Sequence, residues 1–265
     1  MSGAGATRGL SAIILAAGKG TRMKSDLPKV CHPIGDRPMV CSVVDACLEA
    51  GCERIVAVVG YKHELVRDAL AGYGDRVEFA MQEEQLGTGH AVRCAADHYA
   101  DVAAGDAAFV LCGDGPLIRS ETLGTLYATH REHDAAATMA TSVIEDPSGY
   151  GRVVRDADGR FERIVEQKNA SPDQLAIREV NPSYYCFDAR KLFAALEKVE
   201  RNETTGEYYV TDVPRLMLDA GERVEVLDAV PPEDILSINT IEQLGDVDRI
   251  YRERRVGASR KASGS

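Results

Sequence analysis

The chain lacks the features that would place it in several large protein classes. No apolar run approaches the roughly 20 residues that a membrane-spanning helix needs. Met1 to Leu10 is too rich in glycine and alanine, and too short of larger apolar residues, for a signal peptide. An excess of positive charge is missing as well. The formal net charge is −11, which argues against a general nucleic-acid binder, because phosphate-backbone affinity needs Lys and Arg clustered on one face. The seven cysteines include no C-x-x-C pair and are odd in number, so they read as buried free thiols. His130 and His133 stand three apart with nothing nearby to complete a tetrahedral metal set, and read as part of a solvated helix face. No internal repeat is present, and no hexapeptide periodicity of the β-helix kind. These absences leave a soluble, cytoplasmic protein without membrane or nucleic-acid partners, and 265 residues suit one large α/β domain or a domain with an appended lobe.

What is there is an alternation of strand-like and helical patterns. Ala12 to Ala16 reads as a strand, Met39 to Glu49 as a helix, Arg54 to Val59 as a strand, His63 to Leu70 as a helix and Val77 to Ala80 as a strand. Gly89 to Ala96 then reads as a helix, Ala107 to Cys112 as a strand, Ser120 to His133 as a helix and Ala136 to Val143 as a strand. Such alternation means a parallel sheet, with right-handed crossovers placing helices on both faces. After Val143 the pattern changes. Gly151 to Val154 and Phe161 to Val165 flank Asp156-Ala157-Asp158-Gly159, a hairpin signal that opens a second, smaller β-rich lobe. A strand from Glu179 to Phe187, a helix from Ala189 to Lys198, a polar loop from Glu200 to Gly206, a strand from Val224 to Ala229 and a charged helix from Thr240 to Arg255 follow. The expected organisation is a disordered N-terminus over 1–10, one domain over 11–255 and a disordered tail over 256–265. Within that domain, 11–143 forms the first half, 144–239 the second half and 240–255 the C-terminal helix.

The chemistry concentrates where strands end. Leu15-Ala16-Ala17-Gly18-Lys19-Gly20-Thr21-Arg22-Met23 closes an apolar run with small residues whose amides can approach an anion, and Lys19, Arg22 and Lys29 follow within eleven residues. The stretch reads as a triphosphate cradle. It matches neither G-x-x-x-x-G-K-[ST] nor G-x-G-x-x-G, which disfavours a Walker nucleotidase and a dinucleotide fold. What remains is a glycine turn facing phosphate, with Arg22 and Lys29 to neutralise charge. Cys112-Gly113-Asp114-Gly115 ends another strand, and a carboxylate at that edge suits Mg²⁺, which takes one or two protein oxygens and fills its octahedron with water and phosphate. In Gln82-Glu83-Glu84-Gln85-Leu86-Gly87-Thr88-Gly89-His90, glutamine side chains can read a base edge while Gly87 and Gly89 let the backbone close on it. Gly149-Tyr150-Gly151-Arg152, Glu166, Asn181 and Asn239 are polar positions suited to sugar hydroxyls and a second metal oxygen.

Taken together with Leu27-Pro28-Lys29-Val30 and Gly206-Glu207-Tyr208-Tyr209, these motifs resemble the sugar-1-phosphate nucleotidyltransferases. Within that family the chain is most similar to the uridyltransferase domain of the bifunctional N-acetylglucosamine-1-phosphate uridyltransferase/glucosamine-1-phosphate acetyltransferases. The resemblance runs in order from about Ser11 to Tyr251. It implies a Rossmann-like nucleotidyltransferase fold, a mixed, mostly parallel central sheet flanked by helices with a β-rich sugar-binding lobe. It also implies an enzyme that joins UTP and N-acetylglucosamine 1-phosphate into UDP-N-acetylglucosamine with Mg²⁺ as cofactor. On this resemblance Leu15, Ala17, Gly18, Gln82, Gly87 and Thr88 would bind the nucleotide. Arg22 and Lys29 would be catalytic, Gly151, Glu166, Asn181 and Tyr209 would hold the sugar, and Asp114 and Asn239 would coordinate the metal.

Departures from the family pattern gather around the sugar and the metal. Cys112 stands where the family usually has Tyr or Ser, and Gly115 where Val is usual; Asn181-Pro182-Ser183 replaces Asn-Thr-Gly, Asn169 an aspartate, and Ser237-Ile238-Asn239-Thr240 replaces Gly-Val-Asn-Asn. The acetyltransferase β-helix that trimerises the bifunctional proteins has no counterpart, so acetylation and trimer formation do not carry over and a monomer or weak homo-oligomer is expected. Rival readings are a relative acting on another sugar phosphate or nucleotide, such as a glucose-1-phosphate uridylyl- or thymidylyltransferase, and a catalytically silent sugar-nucleotide binder. The joint presence of Arg22, Lys29, Asp114 and Asn239 speaks against the silent binder.

Overall fold

The computed structural model describes residues 9–228, 230–238 and 240–263. In chain order its elements are β1 (Leu10–Ala16), β2 (Pro33–Ile34), β3 (Arg37–Pro38), α1 (Met39–Glu49), β4 (Arg54–Val59), α2 (His63–Leu70), β5 (Val77–Met81), α3 (Thr88–Arg93), β6 (Ala107–Cys112) and α4 (Ser120–Glu132). They continue with β7 (Ala137–Val143), β8 (Gly151–Arg155), β9 (Phe161–Val165), α5 (Pro172–Leu175), β10 (Glu179–Asp188), α6 (Ala189–Leu196), α7 (Val213–Asp219), β11 (Val224–Asp228) and α8 (Ile241–Ser263).

The strands form a central sheet in the order β11-β7-β10-β6-β1-β4-β5, with β8 and β9 attached through β10. Every strand on the main path runs the same way except β10, which is antiparallel to β6 and β7. The expected α/β class with a mixed, mostly parallel sheet is therefore what the chain forms. β1 reads as a continuous apolar run because both of its faces are covered. Leu10, Ala12, Ile14 and Ala16 pack into one core cluster with α1, α2 and α4, whereas Ile13 points to the other face, into the cluster formed with α3, α6 and α7. β1 lies between β4 and β6, so crossovers diverge to either side of it and a crevice opens beyond its carboxyl end. A third, smaller cluster of Met23, Ile34, Met39, Leu117, Ile238 and Val247 sits beside that crevice.

β10 is irregular for a reason visible in its residues. Pro182 has no N–H to give to the ladder, so a central strand can hold it only at a bulge, and the pairing with β7 shifts register between Val180 and Tyr184. Ser183 there takes φ +64°, a left-handed conformation that costs an L-residue about 1–2 kcal/mol.

Several expectations are corrected. His130 is not on a solvated face: it is buried, with Nδ1 3.1 Å from Thr138 Oγ1 of β7. Helix α8 runs on past Arg255 and through the tail expected to be disordered, to Ser263. Leu10, assigned to a disordered N-terminus, already belongs to β1. Residues 1–8 of that segment, Ala229 of the expected last strand, the expected metal ligand Asn239, and Gly264 and Ser265 lie outside the described residues. Among the described residues no helix is long and apolar enough to cross a membrane.

Candidate active site

The glycine turn leaves the carboxyl end of β1 and is held from both sides. Leu15 O accepts a hydrogen bond from Gly113 N (2.9 Å), which ties β1 to the turn carrying Asp114. Gly20 takes φ +67°, and a Cβ there would lie 2.6 Å from Lys29 Cβ, so only glycine lets the two segments touch. The next turn, Thr21–Met23, is a single 3-10 turn whose Met23 is buried in the third core cluster with Ile238 and Val247. That burial fixes the segment from which Arg22 reaches into the crevice. A second 3-10 turn, Lys29–Cys31, follows Pro28. The Lys29 ammonium pairs with the Asp114 carboxylate across the crevice, with side-chain exposures of 14% and 21%.

Two cavities flank this turn. The first, of about 340 Å³, is lined by Lys19, Gly60, Tyr61, Gln82, Glu83 and Gln85 together with Met81. Ala17 O accepts from Tyr61 N (3.1 Å) and from Gln85 Nε2 (2.5 Å). Gln82 is buried, and its Nε2 donates to Gly87 O (3.1 Å) and lies 3.1 Å from His90 Nδ1. With the amide nitrogen so engaged, Oε1 is the edge left to accept from a base. Gly87 (φ +99°) has no room for a side chain, since a Cβ would lie 2.5 Å from Tyr208 O. The Gly87 loop and the segment around Tyr208 are joined by Gly89 N to Tyr208 O (2.7 Å) and Tyr208 N to Leu86 O (2.8 Å).

The second cavity, of about 160 Å³, has Arg22, Asp114, Gly151, Glu166, Asn181 and Ser183 in its wall. Glu166 Oε1 accepts from Thr211 Oγ1 (3.0 Å). Asn181 is buried: Nδ2 donates to Tyr185 OH (2.6 Å) and to Ser183 Oγ (3.4 Å), and Oδ1 accepts from Ser183 N (3.1 Å). Tyr184 OH and Tyr150 OH donate to the carbonyls of Asp234 and Ile235, both at 2.9 Å, and so fasten the 234–238 segment to the same wall.

The sequence-derived residues Ala17, Gly18, Arg22, Lys29, Asp114, Gly151, Glu166 and Asn181 thus come together around one turn, with Gln82 and Gly87 on its other side. Thr88 Oγ1 accepts from Val210 N (3.1 Å), and Tyr209 OH bonds Thr205 Oγ1 (2.6 Å), so both hydroxyls have a partner within the protein. Gly60, Tyr61 and Thr211 were not singled out by the sequence, and Ser183 only as a departure from the family pattern. Gly60-Tyr61 directly follow β4, the neighbour of β1, and that position at a strand end was the available signal.

Asp114 suits a hard divalent cation. A carboxylate accepts at about four lone-pair sites, and Lys29 is one donor to it. Among the described residues no three His, Cys, Asp or Glu side chains gather as a metal cage. Ile238 N donates to Asp114 O (3.3 Å), so the segment leading to position 239 runs beside it.

All seven cysteines are free. Burial pushes the Cys31 thiol up to about 11 and the Cys112 thiol to about 12, the latter aided by the Asp114 carboxylate, so neither is a thiolate nucleophile at neutral pH. Burial likewise raises Glu166, with Asp212 and Glu207 adding repulsion against the Thr211 hydrogen bond. A carboxyl whose folded pKa exceeds its unfolded value destabilises the fold once pH rises above the ordinary carboxylate range, and does nothing below it. Glu166→Gln is therefore expected to melt higher than the unaltered chain at pH 7.5. The gain should vanish below about pH 4, which paired thermal melts at the two pH values check.

A family model described as the MobA-like NTP transferase domain matches residues 12–212. Proteins named "Bifunctional protein GlmU" are similar along most of the chain. That of Brevibacillus brevis is 46% identical over 245 residues, covering 92% of this chain and 52% of the relative. That of Syntrophomonas wolfei is 44% identical over 246 residues, covering 93% and 54%. The chain spans about half the length of the curated relatives it matches. Two solved structures share its fold: apo UDP-glucose pyrophosphorylase, with a TM-score of 0.73 at 18% identity, and the same enzyme named in complex with UDP-glucose, with 0.71 at 17%. Each covers 93% of this chain and 99% of the other.

Proposed function

The chain belongs to the MobA-like NTP transferase domain family, and from that premise we propose that this nucleotidyltransferase moves the uridylyl group of UTP onto N-acetylglucosamine 1-phosphate, forming UDP-N-acetylglucosamine and pyrophosphate. One observation carries the reading. A single turn sends Lys19 into one cavity and Arg22 into the other, with the Lys29–Asp114 pair beside it. That arrangement suits two anionic substrates meeting at one phosphorus. The orientation of the Gln82 amide supports uracil, because Oε1 can accept the N3–H that uracil and thymine carry and cytosine lacks. The polar second cavity supports a sugar, as do the sugar-nucleotide enzymes that share the fold. In this reading residues 11–143 serve the nucleotide, 144–239 the sugar, and the C-terminal helix buttresses both. Free thiols throughout suit a reducing cytoplasm.

The chemistry needs no general base, since the phosphate oxygen of the sugar phosphate is already an anionic nucleophile. It attacks the α-phosphorus in line, a P–O bond forms, and the bond to the departing pyrophosphate breaks with its electron pair. Catalysis is then positioning and charge stabilisation. The backbone around Ala17 and Gly18 seats the triphosphate, Lys29 screens the repulsion between the two anions, and Arg22 balances the charge gathering on pyrophosphate. Asp114, with Asn239 by the family resemblance, would hold Mg²⁺, which supplies Lewis-acid polarisation of the phosphoryl oxygens. Gly151, Glu166 and the Asn181 corner face the sugar.

Pyrophosphate release tests this with each nucleoside triphosphate and Mg²⁺ against a panel of sugar 1-phosphates. UTP with N-acetylglucosamine 1-phosphate should give the highest kcat/KM. A higher value with glucose 1-phosphate or with dTTP would move the chain to another member of the same class. Silence with every pair would exclude the enzyme reading.

A further inference from the structure

We propose that Ser183 is a specificity-determining residue of the sugar cavity, and that its hydroxyl, rather than the side-chain amide of Asn181, is the group this corner presents to the sugar. The inference rests on the functional reading above. Three observations carry it.

The first concerns Asn181. It is 5% exposed, and both ends of its amide are engaged within the protein: Nδ2 with Tyr185 OH and Ser183 Oγ, and Oδ1 with Ser183 N. A side chain so committed shapes the corner more than it contacts what enters. The second is the backbone. Ser183 holds φ +64°, and an L-residue is rarely kept in that conformation where glycine would relieve it. Strain retained at a cavity wall points to a use for the side chain. The third is the placement of the hydroxyl. Ser183 lines the cavity together with Arg22, Asp114 and Glu166, is only half-buried, and its Oγ accepts from Asn181 Nδ2 at 3.4 Å. With Asn181 Nδ2 donating to Oγ, the Ser183 hydroxyl keeps its own proton to donate into the cavity. A polar group on the wall discriminates between sugar phosphates that differ in one hydrogen-bonding substituent more sharply than an apolar surface does. Pro182 strengthens the case, because its ring carries no N–H and the next one, Ser183 N, is taken by Asn181 Oδ1, so neither backbone position offers a donor instead.

The test compares Ser183→Gly and Ser183→Ala with the unaltered chain. It measures kcat/KM for N-acetylglucosamine 1-phosphate and glucose 1-phosphate, KM for UTP, and the melting temperature. Loss of one discriminating hydrogen bond should change the ratio of the two kcat/KM values by about tenfold in both variants, which is one step of about 1.4 kcal/mol, while KM for UTP stays where it was. Ser183→Gly should also melt roughly 2–4 °C higher, because it removes the backbone strain, and Ser183→Ala should not. A purely structural Ser183 would move the melting temperature and leave the sugar ratio untouched. That result, in a chain that turns over sugar 1-phosphates, overturns this inference alone. An unaltered chain that uses no sugar 1-phosphate overturns the functional reading and this one with it.

Discussion

Lys29→Ala is expected to lower kcat/KM for nucleotidyl transfer by about 10²- to 10³-fold, the size of effect seen when one preorganised charge donor is lost from a transition state. The expectation follows from where Lys29 sits. It comes from a turn that Gly20 permits to pack closely, it is only 14% exposed, and its ammonium reaches the Asp114 carboxylate in the wall of the second cavity. Water re-entering that space would screen two approaching phosphates far less well than a fixed cation does. Most of the fall should appear in kcat, because the charge matters most when the two anions are forced together. Asp114→Ala should show a comparable fall by removing the carboxylate that both orients Lys29 and suits the metal. Steady-state kinetics with circular dichroism of the folded variants checks both. Near-normal kcat in either folded variant would remove that residue from the catalytic set.

Asp234→Ala is expected to have the largest effect on stability. Asp234 is fully buried, and its carboxylate meets Arg119 Nε at 2.7 Å and the Arg254 guanidinium. Arg119 stands at the start of α4 and Arg254 on α8, where its second nitrogen also donates to Leu117 O (3.2 Å). One carboxylate therefore locks two helices to the segment that Tyr184 and Tyr150 fasten to the sugar cavity. Removing one partner of such a buried cluster costs about 3–5 kcal/mol. Because both arginines retain some access to water, the lower end applies, and the melting temperature should fall by roughly 6–12 °C. Activity at a permissive temperature should fall too, since the 234–238 segment runs beside Asp114. Differential scanning calorimetry reads the first effect directly. A fall of less than a degree would show that Asp234 locks nothing.

How far the fold could be read from the chain depended on the span of the contacts involved. α1, β4, α2, β6 and β9 have the boundaries their periodicity and flanking residues imply, because each is a run of one pattern ended by local signals such as Gly60 or Gly113. The β2–β3 ribbon has two residues on each side, too few for any pattern to register. α7 begins with Val213-Pro214; proline is at ease in the first turn of a helix but reads as a breaker in a bare sequence. His130 went astray because Thr129, Arg131 and Glu132 beside it in the chain are polar, although it shares the buried face of α4 with Leu123 and Leu126 and its ring turns inward to Thr138.

The site divides in the same way. Gly18, Lys19, Arg22 and Asp114 lie in short motifs at strand ends, and their proximity follows from a parallel sheet. The Thr88 hydroxyl bonds Val210 N, a partner that only the packing of the Gly87 loop against the Tyr208 segment brings close, whereas Tyr209 OH meets Thr205 four residues earlier in its own segment. The Asp234 cluster was as invisible as the Thr88 contact, since Arg119 lies 115 residues away in sequence. Ser183 carried a signal, the departure at Asn181-Pro182-Ser183, but its meaning required the φ angle and the bonds that fill the Asn181 amide.

The central claim is that the α-phosphorus of UTP passes directly to the phosphate of a sugar held beside Arg22, Lys29 and Asp114. Following UTP labelled at the α-phosphorus, with N-acetylglucosamine 1-phosphate and Mg²⁺, tests it most directly. All transferred label should appear in the diphosphate bridge of the nucleotide sugar, with unlabelled pyrophosphate released in equal amount and none bound to the protein. Label recovered as UMP, or attached covalently to the chain, would contradict direct transfer.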